Sequence, residues 1–395
     1  MTDGADWPDT GRRLGRTPHP DPDLPFASGV LGYIGYGAGH RVETVPAEAP
    51  TPEPEVWLAR YEGALLWRHA DQSWHLAGPP AFRTRAAHLL EVARPLPAPP
   101  PPPHPTDRIT VDQARYEQRV RRILGWIGEG DCYQVDLTRP VHLAGTDDAF
   151  AAYRRLRARS SAAYSAWLGL RDDLAVLSNS PELFLAVRGR TVASRPVKGT
   201  RPRHPDPARD DALADDLWRS EKDRAELAMI VDLVRNDLGR VAIPGSVRTG
   251  PRTLSRHANV HHAWTEVVAT LEPGRDAWDA LAAAFPAGSV TGAPKVRACR
   301  RIAELEAAPR GVYCGAIGYV ADGGDATLSV AIRTAVATGD ALRYHVGGGI
   351  VADSDPTAEW WETEHKGAAL DRAFAAPPLR PQPVSGAGAS RSGTP

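Results

Sequence analysis

Apolar residues recur along this chain at two periods, and the alternation between them predicts a mixed helix and strand protein. Tyr116, Val120, Ile123, Leu124 and Ile127 share one helical face, which predicts a helix over about 111–128 ending at Gly128 and Gly130. The clearest helix runs from Ser220 to Leu238. Ser220 and Asp223 open it as a capping box, Leu227, Ile230, Val231, Val234 and Leu238 form its apolar stripe, and Gly239 ends it. Further helical patterns cover 147–159, His261 to Leu271, the stretch of Trp278, Leu281 and Phe285, Lys295 to Leu305, and a last helix that starts at Pro356 behind Ser354 or Asp355. Period-two runs predict strands at 55–69, 73–77, 132–137, 174–177, 312–320, 328–337 and 342–346. Ser180 to Thr200 reads as a hairpin turning at Gly189. A turn there pairs residues whose numbers sum to about 378, which sets Glu182 opposite Pro196 and Lys198 near Ser180.

Polar residues interrupt these patterns at particular places. Gln134 and Asp136 share one face of the 132–137 strand. Glu226 borders the apolar stripe of its helix, where an unpaired carboxylate needs a cation. Glu359, Glu362 and Lys366 follow i, i+3, i+7 spacing on the last helix. The loop Ala287 to Pro294 feeds a helix N-terminus, and Gly347, Gly348 and Gly349 stand in a row. Taken singly, each has an ordinary explanation. Gln134 is a solvent-facing strand residue, Glu182 with Lys198 a surface ion pair, and the Glu359 row a salt-bridged helix face.

Composition narrows the classes. The chain has 395 residues and a formal net charge of -1, which gives no reason to expect a nucleic-acid partner. No apolar run reaches membrane-spanning length, and the N-terminus has no signal-peptide core. Cys132, Cys299 and Cys314 make neither a disulfide framework nor a zinc pattern, so a cytoplasmic location is expected. The expected organisation is a disordered N-terminus over 1–25, an N-terminal segment over 26–94, a Pro-rich linker over 95–105, a catalytic domain over 106–375 and a disordered tail over 376–395.

Ten stretches together carry a resemblance that no single one would. They are GDCYQVDLT (130–138), SPELFL (180–185), RPVKGTRPR (195–203), KDRAELAMIVDLVRNDLGRV (222–241), NVHHAW (259–264), FPAGSVTGAPKVRA (285–298), YCGAIGY (313–319), SVAIRT (329–334), GGGIVADSDP (347–356) and EWWETEHKG (359–367). In this order they resemble the chorismate-utilising enzymes, most closely the para-aminating branch. The resemblance implies an α+β fold of two stacked, roughly orthogonal antiparallel sheets with helices outside.

The same resemblance implies roles for particular residues. Lys198 matches the covalent nucleophile and Glu182 the general acid. Glu226 and Glu362, with Glu359 beside them, match the carboxylates that hold Mg²⁺, an ion suited to a few hard oxygen ligands. Arg333, Tyr313 and the Gly347–Gly349 run match the site of the enolpyruvyl carboxylate. Thr200, His262, Thr291, Gly292 and Lys366 match further pocket positions. Relatives that add water carry lysine at the Gln134 position, so Gln134 implies ammonia as the entering group. Ortho-aminating relatives, which make anthranilate or aminodeoxyisochorismate, usually carry alanine at the Lys198 position. Lys198 therefore implies amination of chorismate at C4, giving 4-amino-4-deoxychorismate. No cysteine lies on a G-x-C-x-G turn, so the ammonia is expected from a glutamine amidotransferase subunit or from solution. Two departures stand out: relatives usually read QVNL where this chain has Asp136, and an aspartate where it has Thr327.

Overall fold

Two large sheets, antiparallel at every pairing, frame the protein. The computed structural model describes residues 6–15, 24–159, 162–257 and 260–375. The first sheet has eight strands, in the order Arg248–Thr249, Val267–Thr270, Thr191–Ser194, Leu183–Arg188, Ala326–Val330, Ala316–Ala321, Gly29–Ile34 and Val56–Tyr61. The second has seven. Six run in the order Gly292–Ala293, Gln134–Ala144, Ala341–Ile350, Thr334–Thr338, Leu174–Ser180 and Tyr164–Arg171, and Asp107–Thr110 pairs with the far end of Gln134–Ala144. Tyr33 and Ile317 of the first sheet pack with Leu168, Leu174, Val176 and Val336 of the second, so the two are stacked. Helices cover the outer faces. Glu221–Gly239 and Ala277–Ala284 lie on the first sheet, and Gln113–Gly128, Ala149–Arg159, Lys295–Leu305 and Pro356–Phe374 on the second. This is the α+β arrangement of antiparallel sheets and outer helices expected from the sequence.

The helix after Ser220 forms as its pattern demands. The Ser220 hydroxyl accepts the Asp223 N–H at 3.2 Å, and Leu227, Ile230, Val231, Val234 and Leu238 are all buried. Removing one such side chain, as in Ile230→Ala, costs about 2–5 kcal/mol. That helix holds Glu226 at the edge of the buried stripe, half-buried.

Several expectations need correction. Within the stretch expected to be disordered, Trp7–Leu14 is a helix whose Trp7 indole is buried and donates to the Ala38 carbonyl at 3.3 Å. Residues 1–5, 16–23 and the tail 376–395 lie outside the described residues. The hairpin is real, but its register pairs Thr191 with Arg188 and Val192 with Val187, one residue from the expected pairing. Its ladder stops before Lys198. The chain passes Pro196 and starts a new strand, Val197–Pro202, in a separate three-stranded sheet with Val260–Trp264 and Thr253–Arg256. His261 to Leu271 is therefore not a helix but two strands, Val260–Trp264 and Val267–Thr270. The run 328–337 breaks at Arg333, which has φ +50, and its halves belong to different sheets. The strand expected over 342–346 continues through the three glycines to Ile350. A further hairpin, Ala64–Arg68 with Ser73–Ala77, stands apart from both sheets.

Candidate active site

The seven-stranded sheet places Gln134 and the glycine run side by side. Gly349 pairs with Asp136, Gly348 with Leu137 and Gly347 with Thr138. The absence of a side chain at 349 leaves room for two others. A Cβ there would stand 2.7 Å from Gln134 Nε2 and 3.3 Å from Lys198 Nζ. The missing side chain thus leaves the space in which the Gln134 amide and the Lys198 amine converge from different sheets. On the other face of the same strand, a Cβ at 348 would lie 3.3 Å from Glu359 Oε2, 3.3 Å from Glu362 Oε1 and 3.6 Å from Lys366 Nζ. The two groups adjoin, since the Lys198 charge acts on both Glu226 and Glu362.

Lys198 and Glu182 also meet through the loop before helix Lys295–Leu305. Lys198 Nζ donates to the Ser289 carbonyl at 3.3 Å, while the Ser289 hydroxyl hydrogen-bonds Glu182. Glu182 is buried, and burial pushes its pKa up to about 7 against the opposing pull of the Ser289 hydrogen bond and the Lys198 charge. It therefore exchanges a proton near neutral pH. Gln134 is fully buried, and neither its Oε1 nor its Nε2 has a hydrogen-bond partner. Burying an unpaired amide costs about 1–3 kcal/mol, so the position calls for a ligand. Thr291 and Gly292 form the other wall. The Thr291 carbonyl accepts the Asp136 N–H at 2.8 Å, its hydroxyl is held by the Ala287 carbonyl at 3.0 Å, and Gly292 pairs with Val135.

A second group of residues suits a carboxylate. Arg333 lies at the crossover between the two sheets, and its guanidinium makes no ion pair or hydrogen bond among the described residues. Burial alone lowers its pKa. A cation desolvated without a protein anion is a ready partner for an anionic ligand. His262 is held neutral, with its pKa depressed to about 3, first by burial and then by the Arg333 charge. Its Nδ1 lies 3.0 Å from the Thr200 hydroxyl, and its Nε2 is buried without a partner. Tyr313 is buried and stacks on His345 with ring centroids 5.3 Å apart.

The acidic residues come from two helices, Glu226 from Glu221–Gly239 and Glu359 and Glu362 from Pro356–Phe374. Glu362 and Lys366 pair at 2.6 Å, and both side chains are 47 % accessible. The Lys366 charge holds the Glu362 pKa down, whereas burial and then the Glu362 charge hold Glu359 up. Ser354 Oγ donates to Glu359 at 2.6 Å. Lys222 Nζ stands 3.9 Å from Glu226 Oε1 and 3.6 Å from Glu359 Oε1. No three His, Cys, Asp or Glu side chains among the described residues cluster as a metal cage. The donor set still fits Mg²⁺. That ion keeps several waters and takes one or two protein carboxylates together with ligand oxygens, and here carboxylate oxygens flank the Gly348 gap while a lysine ammonium sits between two of the acids.

The structure brings Glu182, Lys198, Gln134, Thr291 and Gly292 into one group around Gly349, and Glu359, Glu362 and Lys366 into another around Gly348. Glu226 joins the second through Lys222. Sequence reasoning missed Ser289, which links the proposed acid to the amine, although it lies two residues before Thr291. It also missed Lys222, whose spacing to Glu226 suggests an ordinary helix ion pair, and Arg310. The Arg310 guanidinium is buried and ties the Asp136 carbonyl at 2.7 Å to the Val290 carbonyl at 2.8 Å, with Glu306 as its counter-ion. No helix among the described residues is long and apolar enough to cross a membrane.

The family profile described as chorismate binding enzyme matches residues 8–372. Aminodeoxychorismate synthase component 1 of Salmonella typhimurium is 40% identical over 88% of this chain and 77% of its own length. Anthranilate synthase component 1 of Streptomyces coelicolor is also 40% identical, over 90% of this chain and 75% of its own. The crystal structure of anthranilate synthase component I from Streptococcus pneumoniae superposes with a TM-score of 0.82 at 29% identity, covering 94% of this chain and 86% of that one. The chain belongs to the chorismate-binding enzyme family and is a chorismate-utilising enzyme.

Proposed function

We propose that this enzyme aminates chorismate at C4, yielding 4-amino-4-deoxychorismate. The observation that carries the reading is the convergence of the Lys198 amine and the unpartnered Gln134 amide on the space left by Gly349, with Glu182 linked to Lys198 through Ser289. An ammonia nucleophile must enter on the face that the 4-hydroxyl leaves, and a double displacement achieves this. Lys198 Nζ attacks C2, the ring double bonds shift, and the C4–O bond breaks as Glu182 gives its proton to the departing hydroxyl. Ammonia then bonds to C4, the double bonds return, and the bond from C2 to Lys198 breaks. Arg333 orients a substrate carboxylate, with Tyr313 and the neutral His262 shaping that end of the pocket. Glu226, Glu359 and Glu362 would hold Mg²⁺, directly or through its waters, and the ion would neutralise a second carboxylate. The relative from Salmonella typhimurium is named as a component 1. A glutamine amidotransferase subunit is the source of ammonia in this reading.

Ortho-amination at C2 is the second reading, favoured by the equal identity to an anthranilate synthase component. Incubation of the protein with chorismate, Mg²⁺ and ammonium separates the two. The account expects 4-amino-4-deoxychorismate, and a 2-amino product as the main one would overturn it.

A further inference from the structure

Asp136 is a carboxylate that the reaction above does not use. It is 6% exposed, and its side chain makes no hydrogen bond or close ion pair among the described residues. Its backbone is fixed on both sides, the N–H by Thr291 and the carbonyl by Arg310. In an antiparallel ladder, directly opposite residues point to the same face. Asp136 lies opposite Gly349, so its carboxylate shares the face on which the Gln134 amide and Lys198 Nζ converge. Gln134, two residues earlier on that strand, is fully buried with an unpartnered amide oxygen. A buried amide oxygen without a partner thus stands beside a carboxylate that no side chain among the described residues pairs with. Such a pair fits a small cation rich in N–H donors.

We propose that Asp136 and the Gln134 amide oxygen form an ammonium subsite, in which Asp136 takes the proton that frees the attacking nitrogen. The inference rests on the aminating reading above. Ammonium transfers one proton to the Asp136 carboxylate, giving ammonia and the neutral acid. Ammonia bonds to C4, and as the C2–N bond to Lys198 breaks, Asp136 returns the proton to the departing amine. The product leaves with its nitrogen as an ammonium group, so proton and charge balance close without an outside reagent. The charged and titratable groups whose charge acts on Asp136 are Lys198, Lys366 and Arg310, which favour its charged form, Glu306 and Glu182, which oppose it, and Tyr116, Tyr313 and Cys314. Burial is the largest influence and raises its pKa, which suits a group that accepts and returns a proton.

The test compares wild type with Asp136→Asn across pH, with ammonium chloride as the nitrogen source and the amino product as the readout. The ratio of the two profiles cancels every titration they share. A variant that cannot deprotonate ammonium depends on free ammonia, which is about a hundredth of the total at pH 7. Its kcat/KM for total ammonia is expected about 100-fold below wild type at pH 7 and near wild type above the pKa of ammonium, with KM for chorismate unchanged. Parallel profiles, or a loss of equal size at every pH, would overturn the assignment. If wild type formed no amino product at all, the aminating reading itself would fall.

Discussion

Gly349→Ala is the smallest change that addresses the convergence point. The new methyl would sit 2.7 Å from Gln134 Nε2 and 3.1 Å from its Cδ, against 3.3 Å from Lys198 Nζ. Ordinary contact begins near 3.4 Å, so the Gln134 amide must retreat by roughly 0.7 Å, and the methyl also fills space a ligand would use. Gln134 is fully buried and has little room to move. Lys198 is only partly buried and adjusts more easily. A displacement of that size in a catalytic group costs about 100-fold in rate, or about 2.7 kcal/mol of barrier. The obstruction lies at side-chain ends rather than backbone, so the fold should persist. Gly348→Ala serves as the control one residue away. Its methyl meets Glu359, Glu362 and Lys366 at 3.3 to 3.6 Å, two of them accessible side chains, and the expected loss is about 10-fold or less. Steady-state amination with ammonium, together with near-ultraviolet circular dichroism and a thermal melt, measures both. A Gly349→Ala enzyme with wild-type kcat/KM and an unchanged melt would refute the placement of Gln134 and Lys198 about this glycine.

Two further outcomes are expected. Glu182 has its pKa raised to about 7 and must be protonated to release the 4-hydroxyl, so the step that depends on it should slow as pH rises through 7, and Glu182→Gln should abolish that limb together with turnover; an alkaline limb that survived in Glu182→Gln would assign it to another group. Lys222 occupies the space between Glu226 and Glu359 with its charge, so Lys222→Met should tighten Mg²⁺ binding by about 10-fold in titration calorimetry without substrate, and unchanged or weaker binding would show that the lysine does not compete with the ion.

How much was legible in the sequence depended on how each element is buried. The Ser220 helix is covered on one face, so its apolar stripe and cap were plain and its edge carboxylate, Glu226, followed from them. The face shared by Gln134 and Asp136 was equally plain, because a strand's alternation is fixed by its pleat. The strand Val260–Trp264 was misread as helical because His261, His262 and Ala263 are all buried, and a strand covered on both faces loses its period of two. Trp7–Leu14 was hidden by the polar composition around it, though Pro8 at its first turn and the single buried indole were signals in retrospect. The break at Arg333 carries no glycine or proline to announce it, and only tertiary packing sets its positive φ. Lys198 reached its place by another route than the one expected. The hairpin reasoning brought it near Glu182 along a ladder, whereas the chain leaves that ladder at Pro196 and returns in a third sheet, with a register shift between Val197 and Thr200. The proximity was readable from the resemblance, but the long-range pairing with Val260–Trp264 that creates it was not.

The central claim is that Lys198 forms a bond to C2 of chorismate. Withholding ammonia should stall the enzyme after that step, with the ring attached to Nζ. Peptide mass spectrometry of the enzyme incubated with chorismate and Mg²⁺, quenched and digested, reads this directly. The account predicts an adduct on the peptide containing Lys198, of the mass of chorismate less water, absent from Lys198→Ala and lost when ammonium is added before quenching. An enzyme that makes 4-amino-4-deoxychorismate at its full rate, yet shows no such adduct while Lys198→Ala retains that activity, would contradict it.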